Sequence, residues 1–389
     1  MSNRIMVSTT AGEWEGVQHR PHHFMKRAAE SGRTVIFIEP PVSLIAPLKN
    51  RKLISKWKSW FKGPKHVNEK FIVLSPPPFL PFGNKYRSIN NINQWLLSKS
   101  IKNIVSKLNG SLELYSFLPN SVDLLKHIKF SNVYYDCVDD HASFTGLINK
   151  EVVEQMEKEL MEQSDVCFAT ANQLLEDRRA WSNNFHLVQN GAEFEHFAQV
   201  QTSQLLVPWD IENVKDHSIV GFIGGISDWI DLQIIEDAAK QLPNVTFVMI
   251  GPVDTNIESI KKQKNVIFLG SKPYNQLPNY IQSFDICLIP FKINKLTKSV
   301  NPIKMYEYLS AGKPIISTPL PEVVLFKDVI EIVSSKDEIV KAINDILEHG
   351  AQYNSDVAIH SRQEIGRQNS WNSRWLKVEK LIKKTKGAD

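Results

Sequence analysis

The chain reads as an α/β protein made of two successive doubly wound halves. Two observations predict this. Short runs of Val, Ile, Leu and Phe alternate with helical stretches from Ile5 to Val188, and the alternation repeats from Ser218 to Val333. Each half also opens with a buried strand that runs into a glycine-bearing loop and then a helix. Successive βαβ units imply a parallel sheet, with ligands beyond the carboxyl ends of its strands. A length of 389 residues agrees with two domains.

Composition narrows the class. The chain is 42% hydrophobic and 23% charged, with a formal net charge of +4. So small a charge does not point to nucleic acid as a partner. Cys137, Cys167 and Cys287 stand far apart in apolar runs. They make no metal or redox spacing, and read as buried small side chains in a reducing compartment. No apolar run reaches the roughly 18 residues of a membrane span. The opening Arg4–Thr10 lacks the form of a secretory signal. The expected location is cytoplasmic, peripheral on the inner face of a membrane.

In the first half, Ile5–Ser8 is a strand and Thr9–Gly16 a polar loop holding Gly12 and Gly16. A helix from Arg20 to Ser31 is stopped by Gly32, and Thr34–Glu39 is the second strand. Trp14, His19, Arg20, His22 and His23 crowd the loop and helix start, so one or two of them are expected to face a cleft. Lys49–Lys65 differs in kind. It holds seven Lys or Arg and no acid, interleaved with Leu53, Ile54, Trp57, Trp60 and Phe61. That pattern predicts a basic amphipathic helix on an anionic membrane surface or an acidic partner. Further strands follow at Phe71–Leu74, Leu112–Ser116 and Asn132–Asp136. The last runs into Asp136-Cys137-Val138-Asp139-Asp140-His141, where an α/β site places its chemistry. Such a carboxylate-dense turn suits a base or the binding of sugar hydroxyls, with helix capping as the rival role for Asp139 or Asp140. Strands at Ser164–Thr170 and Phe185–Val188 lead to the turn dipeptide Asn190-Gly191.

In the second half, Ser218–Gly225 is a strand ending in Gly224-Gly225, where a phosphate can approach the backbone. This is not a full GxGxxG, so the dehydrogenase fingerprint is absent. Strands at Val245–Gly251, Val266–Gly270 and Phe284–Pro290 deliver the chain to Ser299–Pro314. There Asn301 is a suitable N-cap and Pro302 a suitable first helical residue. Met305, Tyr308 and Leu309 fall on one face, Lys304 and Glu307 on another. Gly312 ends the helix before the strand Pro314–Thr318. The helix start, a lysine and a carboxylate converge on one spot, which suits a phosphate and neighbouring hydroxyls.

Four stretches together resemble the GT-B glycosyltransferases, in particular the family 4 type of cell-wall and polysaccharide biosynthesis. Val188-Gln189-Asn190-Gly191-Ala192-Glu193 with Phe197 resembles the V-P-N-G-V-D…F motif. Gly221–Gly225 is similar to the first strand of the donor domain, and Leu269-Gly270 to Leu277-Pro278 to F-x-G…L-P. Lys304–Ile316 is similar to the donor-site helix. The resemblance implies two Rossmann-like domains with parallel sheets facing a cleft, and a last helix crossing back. It implies an acceptor domain at 1–198, a linker at 199–217 and a donor domain at 218–369, with the helix 370–385 packed on the first domain.

It also implies transfer of a sugar from a nucleotide-sugar, a UDP-sugar ahead of a GDP- or dTDP-sugar. The acceptor would be a hydroxyl of a glycan or lipid-linked molecule, with retention and with no metal or other cofactor. Glu307 matches the glutamate that holds ribose hydroxyls. Lys304 matches a diphosphate position, helped by the amides of Val300 and Asn301 beside Ser299. Ser271 and Tyr274 match the region flanking the base, and Gly12, Gly16, Gly224 and Gly225 the loops near the donor. Asp139, His141 and Lys304 form the expected catalytic set, with Trp14, His19, Arg20 and Asp140 on the acceptor or cleft side. Two positions depart from the pattern. Ser299 stands where the first glutamate of E-x7-E belongs, and Gly225–Asp231 lacks the usual Arg and Lys. The alternatives are an inverting transferase with Asp139 or Asp140 as base, or a nucleotide-sugar epimerase or binding protein.

Overall fold

A computed structural model describes residues 3–144 and 146–386, without the side chains of Lys49, Lys52 and Lys386. The chain divides into two compact units. Unit 1 is Met1–Gln189 with Trp375–Asp389, and unit 2 is Asn190–Arg374.

Unit 1 carries strands β1 (Arg4–Thr9), β2 (Thr34–Ile38), β3 (Lys65–Asn68), β4 (Phe71–Leu74), β5 (Ser111–Ser116), β6 (Asn132–Cys137), β7 (Val166–Ala169) and β8 (Phe185–Leu187). They form one sheet in the order β3-β4-β2-β1-β5-β6-β7-β8. Only β3 runs antiparallel, on the edge beside β4. Residues of β2, β4 and β7 are all buried, as strands covered on both faces must be. The strand order reverses between β1 and β5, the place where open α/β sheets bind ligands. There the Thr9 hydroxyl meets Ser116 Oγ at 2.9 Å and Ser121 Oγ at 2.7 Å, which ties the two strand ends together.

Unit 2 carries β9 (Ser218–Ile223), β10 (Ile226–Ser227), β11 (Val245–Ile250), β12 (Val253–Asp254), β13 (Val266–Gly270), β14 (Ile286–Ile289), β15 (Ile315–Ser317) and β16 (Glu331–Ile332). Six of them form a parallel sheet in the order β13-β11-β9-β14-β15-β16, and β10 pairs with β12. This is the Rossmann order, with its reversal between β9 and β14. Alternate residues feed two cores. Ile219, Ile223, Val248 and Ile250 face one, and Val220, Phe222, Phe247 and Met249 the other.

The stretch 199–217 differs from the expected linker. It lies inside unit 2, where the helix Phe194–Thr202 occupies its start and Val200, Ile211 and Val214 are buried in the core. Three anchors so unevenly spaced leave no period to read. The unit boundary therefore runs between Gln189 and Asn190, not at residue 198. The helix Trp371–Lys386 begins in unit 2 and continues in unit 1. Within unit 1, Trp375 meets the Phe24 ring at 5.4 Å, and Glu379 pairs with the buried Arg33 at 2.6 Å.

Candidate active site

In unit 2 the reversal point is built by three segments. Gly224 and Gly225 follow β9. Behind them Gly251 holds φ at 146°, and a Cβ there would sit 1.8 Å from the Gly224 carbonyl oxygen. Only glycine lets these two turns stack so closely. The helix Ile303–Ser310 supplies the third wall. Its buried Tyr308 hydroxyl accepts the Ile223 amide at 2.8 Å, which locks the helix to the end of β9. Met305, Tyr308 and Leu309 are buried as the spacing predicts, and Tyr306 and Ser310 are buried too.

Lys304 Nζ lies 2.6 Å from Glu307 Oε2, and Glu307 is only 2% exposed. Its Oε1 has no hydrogen-bond partner among the described residues. The first-turn amides of Ile303 and Lys304 have no intrahelical partner either, whereas that of Met305 bonds Pro302 O at 3.2 Å. A buried carboxylate with one oxygen to spare thus stands beside a lysine, on the helix whose first two amides are free. Asn301 does not cap the helix; Pro302 occupies the cap position. The Asn301 side chain is fully engaged instead. Its Oδ1 accepts the Asn190 amide at 2.9 Å, and its Nδ2 donates to Tyr306 Oη at 3.1 Å and Glu322 Oε2 at 3.0 Å. Asn190 Nδ2 returns a bond to the Asn301 carbonyl at 2.7 Å. Asn301 is thus a buried strut rather than a surface contact. Ser299 is also buried, and Val300 half-buried. Tyr274 stacks on His196 with ring centroids 4.8 Å apart, and Ser271 is exposed.

Unit 1 presents its own loops at the β1–β5 reversal. The Gly12 carbonyl accepts from the Thr10 hydroxyl at 3.0 Å, and the Gly16 amide closes a turn on Glu13 O at 2.9 Å. His22 organises this loop. One ring nitrogen bonds Glu13 O at 2.8 Å and the other accepts the His19 amide at 3.1 Å. Burial pushes the His22 pKa down, so the ring is neutral. Arg20 departs from the expectation of a cleft-facing cation. It is 2% exposed and binds Asp136 Oδ2 at 2.8 Å and Gln189 O at 2.9 Å. Burial in the apolar surroundings of Phe24 demands such a partner, and Asp136 supplies it. Trp14 likewise packs inward, 4.4 Å from the Phe71 ring and 5.3 Å from Phe37. His19 is exposed.

After β6 the three acids part company. Asp136 is held by Arg20 and by Tyr115 Oη at 2.8 Å. Asp140 receives Arg178 Nη2 at 2.9 Å and the Ser143 hydroxyl. The Asp139 carboxylate, half-buried, has no hydrogen-bond or ion-pair partner among the described residues. Burial pushes its pKa above the ordinary aspartate value; His141 pulls it down and Asp140 adds to the rise. His141 Nε2 lies 3.2 Å from the Phe117 carbonyl oxygen.

Residues 217–349 match the family described as glycosyl transferases group 1. Over that stretch unit 2 is similar to the group 1 glycosyl transferases. A Bacillus subtilis protein named as the teichuronic acid biosynthesis glycosyltransferase TuaH is 28% identical over 270 residues. That match spans 64% of this chain and 66% of the relative's length. Among solved structures, sucrose-phosphate synthase from Thermosynechococcus elongatus superposes with a TM-score of 0.73 at 14% identity, covering 100% of both chains. Anabaena HepE, solved with UDP and glucose, gives 0.66 at 13% identity over 98% of this chain and 100% of its own. At such identities the likeness is one of fold, and the fold is GT-B.

Several residues of the two units escaped the sequence reading. Tyr308 was placed in the core, but its hydroxyl bond to the β9 end carries no sequence signal. Arg178 ends its helix and Glu157 lies within another, both among other charges. Asn190 was visible as a turn residue, and its clamp on Asn301 depends on tertiary structure. The basic segment forms a 3₁₀ turn at Arg51–Leu53 and a helix at Ile54–Lys62 with no buried residue. Phe61 is 77% and Leu48 86% exposed, with Leu44, Ile45 and Ile54 also outward. Lys56 pairs with Glu13 at 2.5 Å. The Lys49 and Lys52 side chains lie outside the description. Among the described residues no helix is long and apolar enough to cross a membrane.

Proposed function

We propose that the chain moves a sugar from a nucleotide-sugar held on unit 2 to a hydroxyl of a glycan or lipid-linked acceptor met by unit 1, in assembly of a cell-wall polysaccharide. The observation that carries this is Glu307: a buried carboxylate, half engaged by Lys304, midway along the short helix Ile303–Ser310 at the strand reversal. Its spare oxygen suits ribose hydroxyls. Lys304 and the helix amides suit the diphosphate, whose growing charge is the main thing such a catalyst must stabilise. We assign no metal to the site. The Anabaena structure with UDP and glucose supports a UDP-sugar, and the name of the Bacillus relative supports a wall polymer. The exposed Leu44, Leu48, Ile54 and Phe61 with the exposed Arg51, Lys58 and Lys62 suit an anionic inner leaflet, as expected of a peripheral cytoplasmic enzyme.

We assign retention to the transfer, with Asp139 and His141 on the sugar. One observation favours a second reading, inversion with Asp139 as base: its carboxylate is unengaged and its pKa is raised. Asp140, committed to Arg178 and Ser143, is set aside as base. Thermal shift against UDP-, GDP- and dTDP-sugars tests the donor reading, since stabilisation grows with affinity at fixed ligand. Stabilisation by none of them sinks it. Product formation without an acceptor points to an epimerase. The anomeric configuration of the product, read by NMR, decides between the two stereochemical readings.

A further inference from the structure

We infer that Arg178 is a positioning residue: by joining the buried Glu157 to Asp140, it locks the 138–143 loop so that, of Asp136, Asp139 and Asp140, Asp139 alone offers a carboxylate to the sugar. This rests on the reading that the loop faces the sugar.

Arg178 is 4% exposed and Glu157 fully buried, and Nε lies 2.8 Å from Glu157 Oε1. The same oxygen accepts from Tyr135 Oη at 2.8 Å and Cys137 Sγ at 3.2 Å, both on β6. The second arm of the guanidinium reaches Asp140 at 2.9 Å. The rest of the loop is tied as well. The Thr170 hydroxyl donates to Val138 O at 3.0 Å, and the His141 amide to Asp139 O at 3.0 Å. A buried ion pair adds little net stability over an apolar pair of the same volume, so its value is sought in geometry. Arginine presents a rigid planar fork whose separate arms reach the two acids, whereas lysine presents one compact ammonium at the end of a flexible stem.

The groups around Asp139 are Asp140 and His141 on its own loop. Arg178, from the helix Asn172–Arg178, and Glu157, from the helix Lys150–Glu162, stand behind Asp140. Asp140→Asn leaves the Arg178–Glu157 pair intact and removes the charge beside Asp139. Arg178→Lys keeps a cation for Glu157 and gives up the fork. Full-length variants are compared with wild type for kcat, donor KM, the pH profile of kcat/KM and thermal melting. Both variants are expected to lose at least about tenfold in kcat at unchanged donor KM. In Asp140→Asn the acid limb also moves to lower pH. A structural role alone lowers the melting temperature and leaves the limb in place. Wild-type kcat and pH profile in Asp140→Asn overturn the inference, whether or not Arg178→Lys folds. Asp139→Asn separates the two failures. If it retains full activity, the sugar-facing reading falls; if it is inactive while Asp140→Asn is normal, only the positioning role falls.

Discussion

Glu307→Gln is the sharpest perturbation of the donor site, because it removes a charge and keeps the shape. The fold should tolerate it. Lys304 is 21% exposed and can turn to water, so losing the pair costs under about 1 kcal/mol. Binding should not tolerate it. A hydrogen bond to a charged acceptor contributes about 1.5–3 kcal/mol, against about 0.5–1.5 for a neutral one. The difference is about 1–1.5 kcal/mol per bond, or about 2–3 for two ribose hydroxyls. At about 1.4 kcal/mol per tenfold, UDP affinity should fall about 30- to 150-fold. Titration calorimetry with UDP and with uridine reads this directly. Glu307→Gln should weaken both ligands, whereas Lys304→Met should weaken UDP and spare uridine. A Glu307→Gln protein that melts normally and binds both ligands like wild type refutes the assignment.

Three further outcomes are expected. Gly251→Ala forces an L-residue into a backbone region reserved for glycine, at about 1–3 kcal/mol for the dihedral alone. Its Cβ also presses on the Gly224 carbonyl, so urea melts should show lost stability and calorimetry weaker UDP binding. Burial holds His22 below the free histidine value of 6.5, so the folded ring stays neutral while the unfolded chain gains a proton. Stability should therefore fall as pH drops below 6.5 toward the folded value, and the His22→Gln protein should show a flatter dependence in urea melts. On vesicles, the wild-type chain should float with anionic lipid and not with neutral lipid, and Phe61→Ser with Lys58→Glu and Lys62→Glu should abolish this. Equal flotation of both proteins would discard the membrane surface.

The parallel strands were legible because continuous apolar runs such as Val245–Ile250 have no other economical place than a sheet covered on both sides. The helix Ile303–Ser310 was legible from its 3.6 spacing, its Pro302 and its Gly312. What failed to show was pairing at a distance. Arg20 beside three histidines looked like a ligand-facing cluster, since nothing local reveals that Asp136, more than a hundred residues on, waits for it inside. Asn301 looked like a cap because capping is local, whereas its true partners, Asn190 and Glu322, belong to other elements. The same holds for the acids after β6. Their order in the sequence is plain, but which of them is left unengaged depends on an arginine from another helix.

The two ends of unit 2 are bonded to each other. Trp371 N donates to Ala192 O at 2.9 Å and Arg374 Nε to Asn190 O at 3.0 Å, and a Cβ on Gly191 would lie 2.3 Å from the Asn369 carbonyl oxygen. The chain enters and leaves this unit at one point, so the unit behaves as an exchangeable cassette. Its excision at Asn190 and Arg374 breaks no strand of either sheet, and joining the cut ends of the host requires no long bridge within the cassette itself. With unit 2 holding the nucleotide-sugar as proposed, a related unit grafted between those two junctions carries its donor specificity with it.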